Sequence, residues 1–168
     1  EIWSRLVGSE MCIRDRLGLD GFHEGDVDLV SELTSVMQLT ETDMTILFRT
    51  LSAIQEPESN HLAPAFYKEE EIPQNEWNSW LDRWWDRVDG RPDRESMQSA
   101  NPKYVLRNWM AQLAIDAAEK EDYSVATDLH EMLKKPYEEQ PNNEKKWFTR
   151  RPEWARNRVG CSMLSCSS

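Results

Sequence analysis

Four tryptophans recur at helical spacing between residues 77 and 85 of this 168-residue chain. Trp77, Trp80, Leu81, Trp84, Trp85 and Val88 fall at i, i+3, i+4, i+7, i+8 and i+11, with Glu76, Asp82, Arg83, Asp86 and Arg87 between them. Only a 3.6-residue period gathers the large rings on one stripe and leaves the charges on the other. Asn75 is the expected N-cap and Gly90 the expected C-terminal stop. Each buried indole would remove about 150–250 Å² from water. At roughly 25 cal/mol per Å² that is several kcal/mol apiece as an upper bound. A stripe of this kind is usually core, with a ligand-stacking platform as the minority reading.

The rest of the chain repeats the helical period. Val27, Val30, Leu33 and Met37, flanked by Leu29 and Val36, predict one amphipathic helix. Met44, Leu47, Phe48, Leu51 and Ile54 predict a second, behind a capping-box variant at Thr40–Asp43. Residues 55–74, with Pro57, Pro64, Pro73 and three consecutive glutamates, read as an exposed connection with a short helical piece near Ala65. Asn101-Pro102 is expected to open the longest helix, carrying Tyr104, Val105, Trp109, Met110, Leu113, Ala114 and Ala117 to about Lys120. Val125, Leu129, Met132 and Leu133 make its partner over 124–135 in an αα-hairpin. Trp147, Phe148 and Trp154 are the expected anchors of the polar stretch that follows. No stretch alternates at period two, and the helical pairs share no repeat length. The fold class is mainly α.

Charge narrows the partners. Thirty-one acidic residues against 20 Lys and Arg leave a net charge of -11, which argues against a nucleic-acid partner. No apolar run approaches the roughly 20 residues that span a bilayer, so no membrane partner is expected. There is no glycine-rich phosphate loop, HExxH or GxSxG. His23, His61 and His130 share no ligand spacing, and Glu69–Glu71 reads as a solvated charge run, so no metal ligand is expected. Cys161 and Cys166 are separated by four residues, too close for a bond between them to stabilise much. Cys166 is two residues from the terminal carboxylate, which raises a thiol pKa. Residue chemistry alone leaves a redox role open beside that of an ordinary exposed thiol.

The opening, EIWSRLVGSEMCIRDR, has no apolar signal core. LVGSEMCIRDR resembles the read-through translation of a sequencing-library adapter, so residues 1–16 are expected to be a non-native scar, with the native start upstream. The organisation expected is then 1–16 scar, 17–150 helical part and 151–168 C-terminal tail.

Three stretches carry a family resemblance: NPKYVLRNWMAQLAIDAAEKEDY (101–123), LHEMLKKPYEEQP (129–141) and RPEWARNRVGCSMLSCSS (151–168). They resemble the C-terminal region of the selenoprotein O family, pseudokinases that act as protein adenylyltransferases. LGLDGFHEGDVDLVSELTSVMQ and TDMTILFRTLSAI look like the family's preceding helices. The resemblance implies the C-terminal helical part of a kinase-like fold. The full-length protein would transfer AMP from ATP, with Mg or Mn, to Ser, Thr or Tyr hydroxyls of protein substrates. The family's nucleotide and metal ligands lie upstream, in a missing N-terminal kinase-like lobe, so the fragment carries no catalytic, cofactor-binding or metal residue and is expected to be inactive alone. Arg107, Asn108 and Asp116 match no family role. Cys166 stands where family members place selenocysteine or cysteine, which implies a redox-active tail; Cys161 follows the pattern less uniformly. A bacterial member would be cytoplasmic and a eukaryotic one mitochondrial. The rival expectation is a non-catalytic helical interaction module that binds through the Trp77–Trp85 face.

Overall fold

The structure is a computed structural model that describes residues 13–161. It is mainly helical, and the chain divides into two units at Asn101 and Pro102. The first unit contains α1 (Asp26–Met37), α2 (Met44–Leu51), α3 (Gln74–Arg87) and α4 (Arg94–Ala100). The second contains α5 (Asn108–Ala118), α6 (Ser124–Leu133) and α7 (Pro141–Trp147). Among the described residues the β structure is an isolated antiparallel bridge between Thr42 and Phe66. No helix among them is long and apolar enough to cross a membrane.

In the first unit α3 is the organising element. Trp77, Trp80, Leu81 and Trp84 are buried, and Trp85 and Val88 are half-buried. Trp80 and Trp84 stack with centroids 6.2 Å apart, while Trp77 meets Phe66 and Trp80 edge-on. The stripe is therefore interior. This corrects the rival expectation, because a face already covered by its own unit cannot serve as a docking surface.

Two of these rings also reach back along the chain. Trp80 Nε1 donates to the Leu29 carbonyl and Trp84 Nε1 to the Leu17 carbonyl, each at 2.9 Å. α1 lies along α3, and Arg83 pairs with Glu32 across the two helices. The buried face of α1 is Leu29, Leu33 and Val36; Val27, expected inside, is about half exposed. The 29/33/36 row also follows a helical period, and contact with α3 decides between the two rows.

Helix ends explain three further departures. α3 begins at Gln74 rather than after Asn75, because Pro73 presets the backbone and its carbonyl accepts from Trp77 N at 3.0 Å. At the other end Gly90 adopts φ +63° and its N–H closes on the Trp85 carbonyl at 2.8 Å, as expected of a stop. α4 escaped the sequence reading because Met97 is its one buried side chain; Asp93 caps it by accepting from Ser96 N. Asn101 ends α4 and opens no helix. Its N–H donates to Met97 O, its Nδ2 to the Arg16 carbonyl, and its own carbonyl accepts from the buried Arg49. Residues 102–107 are consequently extended, and the helix expected from 101 starts at Asn108.

The connection over 55–74 is less exposed than its prolines suggest. Its 3₁₀ turn, Ser59–Ala65, packs on α2 and α3 and buries Leu62, Ala65 and Phe66 completely. Ser59 N donates to Asn78 on α3, which pins the turn.

The second unit is built on the α5–α6 pair, as expected. Glu121 takes φ +62° at the reversal, and Asp122 accepts from Ser124 N to start α6. Its core gathers Tyr104, Trp109, Met110, Leu129, Met132, Trp147, Ala155 and Cys161. Lys103 N and Tyr104 N share the Pro136 carbonyl, which straps the extended segment beside the end of α6. Of the three expected anchors, Trp147 is buried and Phe148 half-buried, but Trp154 is 44% exposed beneath the Arg158 guanidinium.

Candidate functional site

The end of the second unit is where sequence reasoning placed the chemistry. Cys166 lies outside the described residues. Cys161 is a free thiol, 7% exposed, on a turn whose N–H donates to the Arg158 carbonyl. Trp109, Met110, Met132 and Trp147 belong to the core that contains it. A thiol inside an apolar core meets neither oxidant nor partner thiol without local opening. Gly160 makes this turn possible: at φ +88° a Cβ would fall 2.6 Å from Gln112 Oε1. Gln112 in turn donates to Asp116, and Arg158 pairs with the same Asp116 oxygen at 2.7 Å. Hydrogen bonds from Gln112 and then Arg158 hold the Asp116 carboxyl below its usual range. Asp116 is thus a clamp on the chain leading to the tail. Arg107 precedes α5, its carbonyl accepting from Met110 N and Ala111 N, and Asn108 is the helix's exposed first residue.

Each unit also buries a charge among groups of opposite sign. In the first, Asp26 is 1% exposed and faces two guanidinium groups. Arg87 donates to both carboxylate oxygens, at 2.7 and 3.2 Å, and Arg14 Nε lies 3.3 Å away. Burial alone would raise this carboxyl. The hydrogen bonds from Arg87 and His23 N, with the charges of Arg87 and Arg14, outweigh it and the net direction is down. In the second, the Lys103 ammonium sits between Glu139 at 2.5 Å and Glu144 at 3.2 Å, over the Phe148 ring. Burial pushes this amine down, but the two glutamates reverse the direction and raise it.

Two arrangements were not singled out from the sequence. Glu56, Glu58 and His61 bring their ligand atoms within 4.8 Å of one another. Their Glu-x-Glu-x-x-His spacing was the available signal. The two glutamates are exposed, His61 Nε2 stands 3.7 Å from Glu56, and Asn60 donates to Glu58. A cleft of about 560 Å³ in the first unit is lined by Asp15, Asp20, His23, Arg87, Arg91 and Asp93, among others. Several carboxylates face it, and its Arg87 is committed to Asp26 and to the Asp20 carbonyl.

The family model described as protein adenylyltransferase SelO matches residues 8–134. Protein nucleotidyltransferase YdiU of Flavobacterium johnsoniae is 50% identical over 167 residues, covering 92% of this chain and 32% of that protein. Its namesake in Aromatoleum aromaticum is 43% identical over 179 residues, with 100% and 34% covered. That of Rhodopirellula baltica is 43% identical over 177 residues, with 91% and 33% covered. The chain therefore spans about a third of the length of these curated relatives.

Proposed function

Because this chain belongs to the protein adenylyltransferase SelO family, we propose that the whole protein transfers AMP from ATP to Ser, Thr or Tyr hydroxyls of other proteins. The observation that carries this reading is 50% identity to a protein nucleotidyltransferase over 92% of the chain. In such a transfer the acceptor oxygen attacks the α-phosphorus and pyrophosphate leaves with the other electron pair. ATP and its Mg or Mn would be held by residues of a kinase-like lobe outside this chain. The present residues then act as the helical part that supports that lobe. The relatives are bacterial, which favours a cytoplasmic setting.

The tail reading rests on Cys166, and the burial of Cys161 weighs against the second thiol. A reversible disulfide from Cys166 to a thiol outside this chain would restrain the catalytic lobe. Labelling tests both parts. Full-length protein given ATP labelled at the α-phosphate should transfer label to protein, whereas label at the γ-phosphate should leave with pyrophosphate. Label arriving from the γ position would make the protein a kinase instead. A Cys166→Ser protein whose transfer responds to reductant as the parent does would end the tail reading.

A further inference from the structure

Between α2 and α3 the chain folds back on itself from Glu56 to His61. Glu58 N–H donates to the Glu56 carbonyl, and His61 N–H donates to the Glu58 carbonyl. The second bond opens the 3₁₀ turn Ser59–Ala65. That turn is pinned to the core: Ser59 and Leu62 are buried, and Ser59 N–H donates to Asn78 on α3. Two carboxylates and an imidazole are thus presented on a fixed backbone, with their ligand atoms all within 4.8 Å of one another.

These side chains are largely uncommitted. Among the described residues neither Glu56 nor Glu58 pairs with a Lys or Arg; Asn60 donates to Glu58, and Glu56 faces His61. His61 is half-buried, and its Nδ1 is enclosed without a hydrogen-bond partner. Its Nε2 stands 3.7 Å from the Glu56 carboxylate, beyond hydrogen-bond reach. Nitrogen and oxygen ligands about 2.0–2.2 Å from a tetrahedral zinc lie about 3.4 Å from each other, so a small closure of this gap suffices. Two carboxylates gathered at one point repel, and a divalent cation between them turns that repulsion into attraction. A cleft of about 320 Å³ lined by Thr50, Gln55, Glu56 and His61 leaves room for water at the remaining coordination positions.

We propose that Glu56, Glu58 and His61 bind a divalent transition-metal ion of the zinc type. The imidazole directs the site towards Zn²⁺, Co²⁺ or Ni²⁺ and away from Mg²⁺ and Ca²⁺, which prefer oxygen ligands throughout. The ion is therefore distinct from the Mg or Mn of the proposed AMP transfer, and the inference does not depend on that transfer. Bound there, it clips the connection leaving α2 to the turn that packs on α3. Comparison of histidine spacings misses the site, because the partners of His61 are acids.

The test titrates chelator-stripped full-length protein with Co²⁺, whose visible d–d absorption reports its ligands. Cysteine sites are told apart by the sulfur-to-cobalt charge-transfer band that thiolates add. The parent is expected to take up one more equivalent of Co²⁺ than His61→Ala does, without a thiolate band, and to release it to Zn²⁺ but not to an equal concentration of Mg²⁺. Glu56→Gln with Glu58→Gln should weaken this binding at least about tenfold, and both glutamates are exposed, so this variant keeps the fold. Zn²⁺ should also slow hydrogen exchange over residues 55–65 in the parent and not in His61→Ala. Equal Co²⁺ uptake with the same spectrum in the parent and both variants overturns the proposal, as does release of the ion to an equal concentration of Mg²⁺.

Discussion

The two units use the same residue for different ends. In the first, Trp80 and Trp84 fill the core and also donate to carbonyls 51 and 67 residues away in sequence. In the second, Trp109 and Trp147 lie tilted against each other at 5.9 Å, and neither indole N–H finds a hydrogen-bond partner among the described residues. The buried charges differ in the same way. Asp26 is an acid enclosed by bases, with Arg87 also bonding the Asp20 carbonyl, whereas Lys103 is a base whose two acid partners are half exposed. The first unit is thus specified by directional bonds between distant segments. In the second the tryptophans contribute filled volume, and its directional bonds run from Lys103 and Tyr104 to the Pro136 and Gln140 carbonyls.

The largest effect should follow from removing Arg87. Arg87→Met leaves Asp26 buried with one off-angle cation, and breaking a buried pair from one side costs about 3 kcal/mol. Urea unfolding of parent and variant measures it; a loss under about 1 kcal/mol would mean Asp26 escapes to water. Lys103→Met should cost less, because Glu139 and Glu144 can turn to solvent. The same two hubs give the units opposite pH limits. Asp26 titrates below its ordinary 3.8, so its contribution is present above that value and is lost as pH falls through the lower folded value. Lys103 titrates above 10.5, so its contribution holds below that value and is lost as pH rises through the raised one. Peptide-level hydrogen exchange, corrected for intrinsic rates, should show α3 opening first in acid and α5–α6 first in alkali. The reverse order would undo the assignment of the hubs.

A smaller pair of effects separates the tryptophans directly. Trp84→Phe removes ring volume and strands the buried Leu17 carbonyl, for about 2 kcal/mol. Trp147→Phe removes similar volume together with a donor that was already unpartnered, for about 1 kcal/mol. Equal losses in urea midpoints would mean that packing alone governs both units.

What the sequence disclosed follows the same division. The α3 stripe was legible because six apolar positions repeat one period, and the α5–α6 hairpin because its break is short. α4 was not, since a helix with one buried side chain has no stripe to display. Asn101-Pro102 looked like a helix start because Pro suits a first turn; only contacts to Arg16 and Arg49, far away in sequence, make it an end. At the tail, spacing could not show that Cys161 is buried in the core of its unit. Trp154 looked like Trp147 in composition, and nothing local told the exposed ring from the buried one.

Arg14 should give the smallest effect. Its Nε is 3.3 Å from Asp26 but makes no hydrogen bond, and its guanidinium also lies over the largely exposed Phe22 ring. Arg87 already binds both carboxylate oxygens, so Arg14 adds charge at a poor angle. Arg14→Ala should therefore cost about 0.5 kcal/mol, the scale of a peripheral ion pair. Arg16 likewise contributes to Asn101 through its backbone carbonyl, which any residue could supply. A urea-midpoint loss for Arg14→Ala approaching that of Arg87→Met would mean that Asp26 depends on both guanidinium groups equally.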